Sequence, residues 1–282
     1  MLGIIGGSGV YDALSVENTY EEHVKTPFGE PSAPIEVGEL EDRTVAFLPR
    51  HGRNHQYDPT HVPYRANIHA LKQVGVDAVI ATNAVGSLRE ELSPRTLVVP
   101  GQLFDRTRDR TRSFFGDGVV VHLSMAEPYC PALSAHLVDC ADATDADVVD
   151  GGTYVCIEGP QFSTKAESEF YRSRGFDVIG MTAVPEAQLA REAELPYAAV
   201  TGVTDYDVWH DDESVSLETV LGHAAANERS MEQLLTAAIT TMPEDLDSEY
   251  ETALDGAINT PLDTIDRTAQ ETYSLLLDDY LP

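Results

Sequence analysis

The sequence predicts an α/β fold with a largely buried sheet. Three observations predict it. Short apolar runs recur at 2–5, 44–48, 78–82, 96–99, 153–157 and 197–203, stretches with helical spacing separate them, and Gly or Pro marks many of the joints. The first run, Leu2-Gly3-Ile4-Ile5, ends in Gly6-Gly7 and reads as a buried strand. Residues 44–48 form a second strand. Residues 64–74 have helix spacing, with Ile68 and Leu71 on one face and Gly75 as a stop. The run 78–82 ends at Asn83-Ala84-Val85-Gly86, and 96–99 is a further strand. The strand 153–157 runs into Glu158-Gly159-Pro160. A helix follows over 163–174, with Ser163 or Thr164 as its N-cap and Gly175 just past its end. Residues 178–181 are short and apolar, 185–194 are helical, 197–203 form a strong strand, and 217–240 form a long amphipathic helix.

No repeat and no Pro/Ser-rich linker interrupts this pattern, so one domain is expected over 1–242. Residues 243–282 differ. They hold eleven Asp/Glu and one basic residue, Arg267. An exposed acidic connector is expected there, followed by a helix over 263–277 that docks on the domain or on a neighbouring subunit through Ile265, Ala269, Tyr273, Leu276 and Leu277.

The chain has 282 residues, 42% of them hydrophobic, which is ample for a core. Asp and Glu number 48 against 18 Lys and Arg, for a formal charge of −30, and only three of the cations are lysines. Such a surface argues against binding nucleic acid or anionic membranes. An acidic partner-binding face and adaptation to high salt are the two readings. The even spread of acid along the chain favours a halophilic cytoplasm. Cys130, Cys140 and Cys156 have neither zinc nor disulfide spacing and read as buried packing. No basic leader and no membrane-length apolar run is present, so a soluble cytoplasmic protein is expected.

Against this acidity, Arg50-His51-Gly52-Arg53-Asn54-His55 stands out at a strand end. A local cationic knot suits one small anion, because guanidinium donates in a fork that matches phosphate or carboxylate. Two other strand ends are rich in donors: Gly6-Gly7-Ser8-Gly9, which is neither a dinucleotide fingerprint nor a P-loop, and Asn83-Ala84. Ligands bind at such strand ends in α/β sheets. Phe162 sits where an aromatic can stack on a flat base, and Met181-Thr182 offers a soft side chain and a hydroxyl. Asp205 and Asp207 lie at i and i+2 after the last strand. On extended backbone they point the same way and raise one another's pKa, which suits protonation of a leaving group. Each segment alone also has a plain reading: a tight turn, surface ion pairing, core packing, or solvated loop acids.

Taken in order, GIIGGSG at 3–9, RHGRNH at 50–55, NAVGSLRE at 83–90, MAEPYCP at 125–131, EGPQFSTKAES at 158–168, GMTAVPEA at 180–187 and TDYDVW at 204–209 resemble the trimeric purine nucleoside phosphorylase family. They are most similar to its branch acting on S-methyl-5′-thioadenosine. The resemblance implies a single-domain phosphorylase/hydrolase-like fold with a central mixed, partly barrel-like β-sheet flanked by helices. It implies phosphorolysis: phosphate attacks the anomeric carbon, and adenine departs from 5-methylthioribose 1-phosphate. Broader action on adenosine or 6-oxopurine nucleosides is the alternative. No metal or organic cofactor is implied, and a homotrimer or dimer of trimers is.

By position, the resemblance assigns phosphate to Ser8, Arg50, His51, the Asn83-Ala84 backbone and Thr182. It assigns base stacking to Phe162, the ribose face to Met181 and the purine edge to Asp205 with Asp207. It places Leu217, Val220 and Leu221 at the 5′ end, and it sends His122 and Leu276 to a neighbouring subunit's site. Where relatives carry Thr for Asn83 or Asn for Gly180, the donors differ. Asp205 accepts hydrogen bonds and so suits a 6-amino group, whereas Asn there suits 6-oxopurines. The apolar residues 217, 220 and 221 suit a methylthio group.

Overall fold

The computed structural model describes residues 1–7, 9, 14–210, 217–246 and 248–281, without the side chains of 217–219. Ser8 and the Leu217 side chain, both candidates above, lie outside the described residues.

The sheet is organised around three parallel strands, β1 (Leu2–Gly6), β4 (Arg43–Pro49) and β5 (Ala78–Ser87). β1 pairs with β4 on one side and with the first half of β5 on the other, in the registers Ile5↔Leu48 and Ile5↔Ala81. Both faces of β1 are covered, which explains why its sequence is a continuous apolar run rather than an alternation. β5 is long enough to be shared. Its later residues pair antiparallel with β10 (Val178–Gly180), and its other edge pairs in parallel with β11 (Tyr197–Asp205). β9 (Thr153–Ile157) and β7 (Gln102–Arg106) extend the β10 side, while β6 (Leu97–Val99) and β8 (Val148–Asp150) extend the β11 side. The sheet is therefore mixed and forks at β5.

Four strands, β2 (Glu17–Glu22), β3 (Ile35–Leu40), β7 and β8, lie outside the apolar runs. β2 is exposed throughout and forms an acidic edge paired only to β3. Backbone pairing makes it a strand, and its charges keep a free edge soluble. β7 is polar for a similar reason.

Among the described residues the α-helices are α1 (Tyr64–Gln73), α2 (Pro131–Asp139), α3 (Lys165–Ser173), α4 (Ala183–Glu192), α5 (Leu217–Thr241) and α6 (Arg267–Leu277). Thr164, not Ser163, caps α3. Its side chain accepts from the Glu167 N–H and the Glu167 carboxylate accepts from the Thr164 N–H, a complete capping box. Val184 at the head of α4 is extended, so regular helix begins after Pro185. All three cysteines are buried, as expected of packing residues. Among the described residues no helix is long and apolar enough to cross a membrane.

The acidic C-terminal segment is held down rather than free. Tyr250 and Leu254 are buried, the Tyr250 hydroxyl donates to the Glu127 carbonyl at 2.9 Å, and Ile258 bridges to Val121. Apolar residues at roughly helical intervals provide these anchors, while Glu244, Asp245, Glu249, Glu251 and Asp255 between them are exposed. Behind it, Ile265, Ala269, Tyr273 and Leu277 pack with Val119 and Leu254, against Phe28 and Phe115. Leu276 is buried in the main core of its own chain. A leucine held there does not reach into a neighbour's pocket, which corrects that expectation.

One buried carboxyl links α4 to the loop before the C-terminal cluster. Glu192 accepts from the Ser113 hydroxyl and the Phe114 N–H, both at 2.7 Å, and burial pushes its pKa up to about 7. The unfolded chain ionises this group near its ordinary value of 4.5. The folded chain thus binds more protons between the two values, and stability contributed by the neutral form is lost as pH rises through that window. Glu192→Gln, a neutral isostere, is expected to match the parent near pH 4.5. It should be more stable at pH 8, by on the order of 2 kcal/mol. Thermal melts across pH at fixed salt check this.

Candidate active site

Because β1, β4, β5 and β11 run parallel, their C-terminal ends lie at one edge of the sheet. Arg50 follows β4 there, and its N–H donates to the Gly6 carbonyl at 3.0 Å. Its side chain is 2% exposed and makes a bidentate pair with Glu186 of α4, at 2.7 and 2.8 Å. It also donates to the Thr82 carbonyl at 3.0 Å and the Ile5 carbonyl at 3.3 Å. Burial alone would lower the guanidinium pKa; the charge of Glu186 outweighs it and raises the pKa, so Arg50 stays charged. Tyr197 donates to the same carboxylate at 2.8 Å.

The cationic knot expected from 50–55 is thus smaller than the sequence implied. Arg50 is charge-compensated. Arg53 is a surface residue paired to Glu21 at 2.7 Å. His51 is pushed down to about 4 by burial and then by Arg50, so it is neutral at pH 7. Its Nδ1 faces the Tyr57 carbonyl at 2.9 Å and therefore carries the proton, which leaves Nε2 with a lone pair. His55 stacks on it at 4.5 Å.

Next to Arg50, β5 presents Asn83 and Ala84. Ala84 is exposed in a strand that is otherwise largely buried. The Asn83 amide donates to the Thr182 hydroxyl at 2.6 Å, joining the ends of β5 and β10. With its oxygen accepting from Asn83, the Thr182 hydroxyl keeps its own proton to donate. Gly7, Gly9, Asn83, Ala84, Gly202 and Asn227 are among the residues lining a cavity of about 160 Å³. Thr82 Oγ1, Asn83 Oδ1 and Asn227 Oδ1 are buried here without hydrogen-bond partners. Buried orphan polar atoms are uncommon, and together on one cavity wall they mark a place for a polar occupant. Ser8 lies between Gly7 and Gly9 in the chain, outside the described residues.

At the end of β11, Asp205 and Asp207 are both buried. Asp205 accepts from the Thr204 hydroxyl at 2.7 Å and the Asp207 N–H at 2.8 Å. The expected pleat geometry is corrected. The strand ends at Asp205, and Asp207 has φ of 51° at the head of a 3-10 turn, Asp207–Trp209. A turn, not alternation along a strand, brings the two carboxyls together. The Trp209 indole anchors this turn by donating to the Ser87 carbonyl at 2.8 Å, under the Arg172 guanidinium. Burial first, and the Asp205 charge after it, push the Asp207 carboxyl up to about 6. Its Oδ2 is buried without a partner.

Gly86, paired with both Ile179 and Asp205, connects this end to β10. Two residues past Ile179, Met181 rests on Gly159: a Cβ there would lie 2.5 Å from its sulfur. Phe162 stands 46% exposed beyond that turn. Val220 on α5 is half-buried, and its neighbour Leu221 is 59% exposed. His122 is exposed, its N–H donating to the Ala257 carbonyl at 2.9 Å. Among the described residues, no hydrogen bond joins it to the groups above.

Sequence reasoning missed Glu186, Glu158 and Arg110. Glu158 accepts from the Thr60 hydroxyl, the Arg108 and Asp109 N–H groups and Arg110. Burial pulls its pKa up, yet these donors outweigh it and hold the carboxyl at about 2. The signal for Arg110 was present: Arg106, Arg108, Arg110 and Arg112 alternate in a chain with few cations. Among the described residues no cluster of His, Cys, Asp and Glu is arranged for a metal ion. Arg50→Met should strand the buried Glu186 charge and destabilise the fold by about 3–5 kcal/mol. Arg50→Met combined with Glu186→Gln should cost clearly less; urea unfolding of both variants tests the pair.

The model of the Phosphorylase superfamily matches residues 1–240. An S-methyl-5′-thioadenosine phosphorylase from Chloroflexus aurantiacus is 50% identical over 272 residues, covering 96% of this chain and 94% of its own. The crystal structure of a methylthioadenosine phosphorylase from an antarctic soil metagenomic library superposes with a TM-score of 0.92 at 44% identity, over 98% of both chains. The Schistosoma mansoni methylthioadenosine phosphorylase in complex with adenine gives a TM-score of 0.85 at 34% identity, over 92% of this chain and 98% of that one. A family match over residues 1–240 and relatives of this identity and coverage, on a mixed sheet whose strand ends carry a small cavity and two buried carboxyls, place the chain in the phosphorylase superfamily, among its S-methyl-5′-thioadenosine phosphorylases.

Proposed function

We propose that this protein is a pentosyltransferase that cleaves S-methyl-5′-thioadenosine with inorganic phosphate, giving adenine and 5-methylthioribose 1-phosphate. The observation that carries the reading is the pairing, on one sheet edge, of a small cavity at Asn83-Ala84, beside the Asn83–Thr182 hydrogen bond, with two buried carboxyls at Asp205 and Asp207. One end holds the nucleophile and the other receives the leaving base.

On this reading Ser8, Arg50, the Asn83-Ala84 backbone and Thr182 cradle phosphate. Neutral His51 accepts from a P–OH through Nε2, which turns a phosphate oxygen toward the sugar. That oxygen attacks the anomeric carbon as the bond to N9 breaks, and the bonding pair leaves with the purine. Charge develops as an oxocarbenium ion on the sugar and as an anion on the base. The phosphate faces the first, and a proton relieves the second. Asp207 sits near 6 and so carries a proton for part of the time at neutral pH. Asp205 accepts from the 6-amino group. Phe162 stacks on the base, Met181 covers the ribose, and residues 217 and 220 take the methylthio group. No metal or organic cofactor takes part.

The same reading carries the assembly and setting. Residues 1–242 form the catalytic domain, and 243–282 form the acidic segment and helix packed against it. A homotrimer, or a pair of trimers, brings exposed His122 to a neighbour's site. The charge of −30 suits a cytoplasm at high salt.

Adenine release from S-methyl-5′-thioadenosine in molar KCl should require phosphate. Release without it would make the protein a hydrolase, and no release in either condition would overturn the reading. Asp205→Asn should shift the ratio of kcat/KM for adenine over 6-oxopurine nucleosides at least about fivefold toward the oxopurines, because a misplaced donor or acceptor costs about 1–3 kcal/mol. An unchanged ratio would remove base reading from Asp205.

A further inference from the structure

We propose that Arg110 is a positioning residue for this reaction: its buried guanidinium clamps the chain that carries Met181 and Thr182 to the strand end that leads to Phe162. The inference rests on the function proposed above and assigns a part to a residue that touches neither ligand.

The Arg110 side chain is 1% exposed. Its Nη1 donates to the Met181 carbonyl at 2.7 Å, the Val184 carbonyl at 2.5 Å and the Tyr64 hydroxyl at 3.3 Å. Its Nη2 donates to the Glu158 carbonyl at 2.6 Å, and its Nε to the Glu158 carboxylate at 3.1 Å. One planar fork thus spans two segments. On one side lie residues 181–184, which bracket Thr182. On the other lies the end of β9, from which the chain turns at Gly159 to Phe162. Met181 already rests on Gly159 with no room for a Cβ between them, so the two segments touch where the clamp sets their separation.

Glu158 fixes the clamp from outside. It accepts from Arg110 and from the N–H groups of Arg108 and Asp109, which pins the loop that presents the guanidinium. It also accepts from Thr60 at 2.6 Å, which ties in the loop that begins at Arg50. Three segments assigned to phosphate, ribose and base therefore meet at one ion pair. Lysine cannot replace this fork, because a point charge on a flexible stem cannot reach carbonyls on both sides in one plane. The base-reading Asp205 accepts from the Thr204 hydroxyl and the Asp207 N–H at the end of β11.

This predicts a split. Misplacing the nucleophile relative to the sugar by about 1 Å costs on the order of 100-fold in rate, whereas binding of the base alone needs no such alignment. In Arg110→Lys and Arg110→Gln, kcat for S-methyl-5′-thioadenosine should fall 10- to 100-fold. Adenine should still bind with unchanged stoichiometry by calorimetry, and its Kd should rise several-fold less than kcat falls, because loosening the Phe162 turn weakens stacking without removing it. Guanidinium at millimolar concentration should restore turnover in Arg110→Ala, and methylammonium should not. Glu158→Gln leaves Arg110 in place but turns an amide toward the Arg108 and Asp109 N–H groups, so it should lower kcat less, by about tenfold. It carries the test if the Arg110 variants do not fold. Unchanged kcat in folded variants overturns the proposal, and so does a loss that merely tracks a fall in adenine-binding stoichiometry. The parent enzyme serves as the control. If it fails to turn over with phosphate, the function is wrong; if it turns over and the variants match it, only the clamp is wrong.

Discussion

The pair of Arg50 with Glu186 is the interaction on which the site depends. It places a full positive charge, 2% exposed, at the meeting point of β1, β4, β5 and α4. A charge so placed is tolerable only with its counter-charge and with its hydrogens bonded. Glu186, Thr82 and Ile5 supply the acceptors, and Tyr197 completes the carboxylate. The pair ties the ends of β1, β4 and β5 to α4 through these bonds.

A second organising feature is the fork at β5. One strand pairs with β1, β10 and β11, so three chain ends open onto the same edge. Asn83, Ala84 and Gly86 lie along that edge at successive depths. Asn83 meets Thr182 and Gly86 meets Asp205. The separation of Asn83 from the Asp205 carboxyl is thus set by the rise of a single strand. A rigid ruler of this kind suits a reaction between two separately bound molecules, because orientation is supplied before either arrives.

The two buried carboxyls show how the same residue type takes different work from its surroundings. Asp205 accepts from a hydroxyl and an N–H. Asp207 is turned inward by its left-handed backbone, and burial raises its pKa. Sequence spacing brought attention to both residues, but on the wrong ground. Extended alternation was expected, and a turn anchored by Trp209 was found.

The sequence by itself determined the apolar strands β1, β4, β5, β9 and β11, the capped helix after 164 and the strand-end residues at 50, 83, 182 and 205. Buried parallel strands must be apolar on both faces, and the ends of such strands are where an α/β sheet binds ligands. Only the tertiary structure decided the rest. β2 is a strand through pairing, not composition. Glu186 and Arg110 find partners 136 and 71 residues away in the chain, and no local pattern announces such pairs. The acidic C-terminus docks because a few aromatic and aliphatic side chains outweigh many solvated carboxylates. Periodicity reports which face of a segment is apolar; which segment that face meets depends on the whole chain.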